Sequence, residues 1–271
     1  MSKLPMTDGI YLGENILVPP MPPVPETSAP WIQFDANGAV IATDLTDLRD
    51  ASMLFPQGYP STTELILNIP SATRLSALCT NNAILQRLEV VSSSDNILAA
   101  ASISASNTSL NYARIELSNY VLGFGGFENC SSLQTAVLVL PKCTSLNFYC
   151  FRNCVNLSSL LINAPKITAA NYLCENAAML STFSADLPEL AACIAGWKGA
   201  GLKTFDVTWP KIADLSQAFT NTQLEASEIN KILYSLPTYT SGSHIITFTG
   251  SPGAATCDPS IGTAKGWTVQ V

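Results

Sequence analysis

A leucine followed eight residues later by a proline recurs along this 271-residue chain at nearly constant spacing. The pairs are Leu133 and Pro141, Leu157 and Pro165, Leu180 and Pro188, and Leu202 and Pro210. Serine takes the second place in two earlier units, Leu110 with Ser118 and Leu85 with Ser93, and Thr62 stands in for leucine ahead of Pro70. Successive anchors lie 23, 25, 23, 24, 23 and 22 residues apart. A period in this range marks a solenoid, whose units bury their apolar sides only by stacking on their neighbours. The repeat therefore predicts one elongated domain rather than two compact ones.

Within each unit the third, fifth and seventh residues after the anchor are mostly apolar, as in Leu65, Leu67 and Ile69 or Ala136, Leu138 and Leu140. Period-two spacing over five residues predicts a strand with one buried face, ended by a proline that cannot donate to the next ladder bond. One parallel strand per repeat is expected, with a short helix or turn closing each coil on the other side. The outward residues are then Ile66 and Asn68, Glu89 and Val91, Arg114 and Glu116, Val137 and Val139, Leu161 and Asn163, Ser184 and Asp186, and Asp206 and Thr208. The middle of this candidate binding face is apolar (Val137, Val139, Leu161) and its flanks are charged. An apolar patch with a polar rim suits a protein-binding surface; cover by a loop or by another copy of the chain is the alternative.

Both ends depart from the repeat. Residues 1–30 read as an extended arm, because the run Val18, Pro19, Pro20, Met21, Pro22, Pro23, Val24 and Pro25 excludes helix and favours polyproline II. The arm is either a spacer or strap, or an anchor that docks to a larger assembly. Residues 31–54 read as a β-hairpin cap turning at Ala36-Asn37-Gly38. About seven repeats fill 55–221. Residues 222–271 read as an α/β cap with an amphipathic helix over 226–236, strands at 245–249 and 267–271, and a short helix started by Asp258-Pro259-Ser260.

Composition narrows the function classes. Hydrophobic residues make up 47% and charged residues only 12%, which supplies a continuous core and little for disorder. A formal net charge of −7 gives no electrostatic footprint for nucleic acid, and no apolar run approaches the roughly 20 residues of a membrane helix. The N-terminus lacks an apolar signal core after Lys3, so folding in a cytoplasm is expected unless a signal has been removed. Eight cysteines are present. Cys130 and Cys154 both lie three residues before an anchor, where later units carry Ala177 and Gly199; a small buried free thiol fits that place better than a disulfide or a metal ligand. The single histidine, His244, reads as structural, and the glycine-rich Gly123–Gly126 lacks the features of a phosphate loop. No catalytic constellation is expected, and no cofactor.

The segments Phe127-Glu-Asn-Cys-Ser-Ser-Leu133 and Phe151-Arg-Asn-Cys-Val-Asn-Leu157, each followed by a strand ending in proline, resemble the BspA-like (Treponema-type) leucine-rich repeat. The likeness is close over 127–188 and degenerate over 60–126 and 189–221, with Phe219 an isolated late echo; the ending Ala264-Lys-Gly-Trp267-Thr-Val is also similar. The resemblance implies a curved leucine-rich-repeat solenoid that binds by its surface, as in bacterial surface adhesins and some phage tail proteins. Together with the missing secretion signal and the proline-rich arm, it sets the expected function: a non-enzymatic adhesion protein on a phage virion, tail-associated or head-decorating. The arm would contact other virion proteins, and the solenoid a host surface protein or glycan. A secreted or cell-surface bacterial adhesin is the alternative.

Overall fold

The computed structural model describes residues 63–94, 100, 102–120, 123–146 and 148–271, with backbone alone for 2–5, 31–34, 40–44 and 123–124. Three strands precede the coil: β1 (Ser2–Pro5), β2 (Trp31–Phe34) and β3 (Val40–Asp44), antiparallel in the order β1-β2-β3. Strands β2 and β3 pair as a hairpin with Trp31 opposite Asp44. Strand β1, inside the segment expected to be an extended arm, pairs with β2 through Ser2 opposite Phe34. The Ala36–Gly38 turn, the docking-arm residues Val18–Pro25 and Thr62 lie outside the described residues.

The repeat then winds a parallel β-solenoid. Its main sheet uses β4 (Glu64–Asn68), β5 (Arg87–Ser92), β6 (Tyr112–Leu117), β8 (Thr135–Val139), β10 (Ser159–Asn163), β11 (Thr182–Asp186) and β12 (Thr204–Thr208). Registers run without slip, so Leu65, Leu88, Ala113, Ala136 and Leu160 stand side by side. Side-chain alternation is the predicted one: Leu65 and Leu67 are buried while Glu64, Ile66 and Asn68 are exposed. Each buried Leu or Phe contributes about 1.5–3 kcal/mol, too little for a lone unit against its ordering entropy and enough for a stack. One seam interrupts the sheet. Strands β4, β5, β6, β8 and β10 form one hydrogen-bonded ladder and β11 with β12 another, with no backbone pairing between β10 and β11.

A second, narrower side is built from β7 (Gly123–Phe124) and β9 (Ser145–Leu146), which pair in parallel. Single bridges carry the ladder on from Ser145 to Ala169, Ala192 and Asp214, and Leu215 then bridges to Ile246.

The third side consists of turns, not short helices. Six units place two residues four apart in the left-handed region, Ala77 and Asn81, Ser102 and Ser106, Tyr149 and Asn153, Tyr172 and Asn176, Ala195 and Gly199, Gln217 and Asn221, while the unit of Asn129 has the second alone. Asparagine tolerates that conformation best among residues with a side chain, and it recurs at the second place. There the amides stack between coils: Asn153 Nδ2 donates to Asn129 Oδ1 at 2.8 Å, and Asn176 Nδ2 to Asn153 Oδ1 at 2.9 Å. Two residues before each such asparagine, a core column runs through Phe127, Phe151, Cys174, Trp197, Phe219 and Phe248, all fully buried. Phe127 stacks on Phe151 at 5.6 Å, Trp197 on Phe219 at 5.5 Å and Phe219 on Phe248 at 5.3 Å. Phe219 is thus a regular member of this column rather than an isolated echo.

The alignment of Gly199 with Cys130 and Cys154 is corrected by these ladders. The Asn176 N–H donates to Lys198 O and the Gly199 N–H to Thr220 O, so Gly199 belongs with the asparagines and buried Ala200 takes the thiol position. The seventh unit has lost one residue before its anchor, where Gly201 replaces Ala178-Met179. A Cβ on Gly201 would lie 2.0 Å from Ala178 O, so only glycine fits.

Winding continues past residue 221. Leu224, 22 residues after Leu202, is fully buried as the next anchor. The strand that should follow is replaced by α1 (Ala226–Ser235), which buries Ile229, Ile232 and Leu233 against the sheet end. The chain then returns to the second side as β13 (His244–Thr247), passes through α2 (Ser260–Thr263), and lays β14 (Trp267–Gln270) parallel to β13. Asp258 Oδ1 accepts from the Ser260 N–H at 3.0 Å and fixes the start of α2. The C-terminal segment is therefore both cap and continuation of the coil.

Candidate functional site

The fourteen residues predicted to point outward all lie on the open face of the main sheet. Parallel registry sorts ten of them into two rows across β4 to β10: Ile66, Glu89, Arg114, Val137, Leu161, and Asn68, Val91, Glu116, Val139, Asn163. Beyond the seam Ser184 lies beside Asp206 and Asp186 beside Thr208. Members of a row repeat at the strand spacing of about 4.8 Å, which presents a periodic surface.

Charge and exposure vary along this surface. At the β4–β6 end Arg87 Nε pairs with Glu64 Oε1 at 3.0 Å and also contacts Glu89, and Arg114 Nη2 pairs with Glu116 Oε2 at 2.9 Å. The Arg87 guanidinium also lies over the Tyr112 ring at 4.5 Å. Exposed pairs of this kind add little to stability; their effect is to neutralise the flank locally. In the middle Val137 and Val139 are half-buried, and Leu161 is 56% exposed, matching Ile66 at 57%. At the far end Asp186 and Asp206 are exposed.

A second constellation, at the corner between the narrow side and the turns, was not anticipated from the sequence. In the preceding ladders two steps separate the buried residue of the narrow side from the first left-handed residue: Ala170 to Tyr172, Cys193 to Ala195, Leu215 to Gln217. From Leu146 to Tyr149 there are three. The extra residue extrudes Phe148, which is 62% exposed. Its ring centroid lies 6.1 Å from Tyr149 and 5.9 Å from Tyr172, and the two tyrosines are 5.1 Å apart. Both tyrosines have positive φ, 69° and 55°. A bulky side chain there costs about 1 kcal/mol or more, and neighbouring units hold Ala77, Ser102, Ala195 and Gln217 at the same place. The Arg152 guanidinium covers the Tyr149 ring at 3.7 Å and is salt-bridged to Glu128. Beside these rings a pocket of about 120 Å³ is lined by Ser102, Ala105, Gly125, Gly126, Glu128, Phe148 and Tyr149. The only sequence signal for this corner was the 24-residue spacing of its unit.

The remaining candidates sit elsewhere. His244 opens β13, stacked on Tyr239 at 3.7 Å, with Nδ1 3.1 Å from Ala213 O and Nε2 3.0 Å from Ser241 O. Seven cysteines are buried free thiols and Cys257 is half-buried. Burial pushes the Cys79 thiol up to about 12, against a smaller opposing effect of its hydrogen bond to Ser104, and raises Cys130, Cys154 and Cys193 as well. Thiols held neutral are poor nucleophiles and poor metal ligands. Among the described residues no three His, Cys, Asp or Glu side chains gather as a metal site, and no helix is long and apolar enough to cross a membrane. No known protein family, curated protein or solved structure matches the chain.

Proposed function

We propose that the chain is a non-enzymatic recognition protein that binds a macromolecular partner across the open face of its main sheet. The observation that carries this reading is the face itself: two registered rows of outward side chains, with Ile66 and Leu161 more than half exposed and no described element packed over them. A solenoid needs the inner sides of its strands for stability, which leaves the outer sides free to vary for binding. The likeness of 127–188 to the BspA-like repeat supports an adhesive role. The proline-rich arm supports attachment to a larger body, and we place the protein on a phage virion facing the host surface.

Two measurements test this. Mass spectrometry of gradient-purified particles and of the cell envelope from the source culture should find the chain in particles, and deletion of residues 1–30 should remove it from them. Recovery from the envelope alone overturns the virion assignment in favour of a cell-surface adhesin. Fluorescently labelled protein should bind intact host cells, and Val137→Asp with Leu161→Asp should weaken that binding at least tenfold. Undiminished binding by the doubly substituted protein overturns the sheet-face reading.

A further inference from the structure

We infer that the Phe148–Tyr149–Tyr172 corner is a binding subsite for one neutral sugar ring. This deepens the recognition reading by naming a ligand class, and it rests on that reading only for the premise that the coil is a binding scaffold.

Three observations converge there. The solenoid does not need Phe148: neighbouring units close the same corner with one residue fewer, and the extra residue only pushes an aromatic ring into solvent. The solenoid does not need the tyrosines either, because Ala77, Ser102, Ala195 and Gln217 serve at their position without a ring. Two adjacent units thus set tyrosine rings side by side, 5.1 Å apart, at a place that other units fill with smaller or non-aromatic side chains. Finally, Phe148 and Tyr149 border a pocket of about 120 Å³, room for a single ring and not for a chain.

The lining selects the ligand. A pyranose has an apolar face of C–H groups that lies on an aromatic ring and a rim of hydroxyls that needs donors and acceptors. Phe148 offers the first, while the Glu128 carboxylate and the Ser102 hydroxyl offer the second. Arg152 already occupies the face of Tyr149 at 3.7 Å and neutralises Glu128, so a cationic ligand meets a filled cation site. An anionic ligand finds no cation among the described lining residues.

The test uses the full chain with a panel of neutral methyl glycosides (gluco, galacto, manno and N-acetylglucosamine forms), read by ligand-observed and aromatic-proton nuclear magnetic resonance. At least one glycoside should shift the Phe148, Tyr149 or Tyr172 ring signals with a dissociation constant of about 1 mM, as expected for one sugar ring. Phe148→Ala should weaken this at least tenfold, and its exposed position leaves the fold intact. Tyr172→Ala should do likewise, and because alanine already serves at this place as Ala77 and Ala195, unchanged thermal stability separates lost binding from lost folding. No shift for any glycoside at about twenty times that concentration, a shift indifferent to both substitutions, or binding of tetramethylammonium instead overturns the proposal. The Val137→Asp, Leu161→Asp protein should retain sugar binding. Loss of cell binding in that protein with sugar binding intact concerns the sheet face alone, so the two readings fail separately.

Discussion

The backbone N–H of Phe205 on β12 donates to Oε1 of Glu228 on α1 at 2.7 Å. Strand β12 is the last of the main sheet, and its outward-facing amides would otherwise form an open edge ready to pair with another chain. Helix α1 covers that edge with an apolar face, and one carboxylate replaces the carbonyl of the absent next strand. Trp209 reinforces the closure by donating from Nε1 to Ser235 Oγ at 3.1 Å.

Glu228→Ala should therefore destabilise the protein by about 1–3 kcal/mol, the cost of leaving a partly buried donor without its acceptor. Glu228→Gln keeps an acceptor and should lose less than half of that. Urea unfolding midpoints measure both, and hydrogen exchange at the Phe205 amide should accelerate in the alanine protein alone. Equal midpoints for alanine and glutamine would mean that α1 seals the edge by apolar packing only.

The thiols predict an alkaline limit to stability. Burial raises six fully buried thiols above the ordinary cysteine range: Cys79, Cys130, Cys150, Cys154, Cys174 and Cys193. A group whose folded pKa is raised stabilises the fold fully below its unfolded pKa and loses that contribution as pH climbs towards the folded value. Unfolding free energy should thus be flat with respect to these groups below about pH 8.5. It should then fall by about 1.4 kcal/mol per pH unit for each thiol once the unfolded chain ionises. Denaturant titrations between pH 8 and 11 read the slope. In native protein a thiol reagent should modify the half-buried Cys257 first and the six only on unfolding.

How far the sequence reached can be followed through particular residues. Strand positions and their facing were legible because period-two alternation is a physical requirement of a strand with one buried face, and the leucine–proline pair keeps its phase through most units. The thiol column was legible too, since a position accepting Cys or Ala is a statement about volume. The aromatic column was only half visible. Phe127 and Phe151 share a motif, but Cys174 and Trp197 preserve burial without preserving residue type. Gly199 was misplaced by one because a deletion beside it leaves the anchor spacing almost unchanged. The Phe148 corner was all but hidden for the converse reason: a one-residue insertion shows in sequence only as a 24-residue spacing, and only the winding shows what it extrudes.

That deletion is itself testable. Gly201 closes the shortened turn with its Cα beside Ala178, and an added Cβ would meet the Ala178 carbonyl oxygen at 2.0 Å, a backbone atom that cannot rotate away. Gly201→Ala should cost about 3 kcal/mol through displaced backbone. Inserting one alanine after Gly201, which restores the length of the preceding unit, should relieve most of the loss in the alanine background. Circular dichroism melts of the three proteins decide it; a Gly201→Ala protein as stable as the parent would show that the turn is not closed in this way.

The seam between β10 and β11 predicts a local weakness. Across it the inward residues change from Leu160 and Ile162 to Phe183 and Ala185, and Leu160 and Ala185 are only half-buried. The other two sides stay continuous at this level: the Phe151 N–H donates to Leu173 O, and the Ala170 N–H to Ala192 O. The break is therefore confined to the main sheet, where an aromatic filling succeeds an aliphatic one. Amide direction alternates along a strand, so Leu160 and Ile162 face β11 while Thr182 and Ser184 face β10, all without a backbone acceptor. Hydrogen exchange should be faster at these four amides than at Leu138, which faces β10, and at Asp206, which faces β11. Protection at the seam equal to that of Leu138 would show the two ladders joined in solution. Fast exchange would show that the stack is two cooperative blocks held together by the turn side and the narrow side, with Leu161 exposed at the boundary between them.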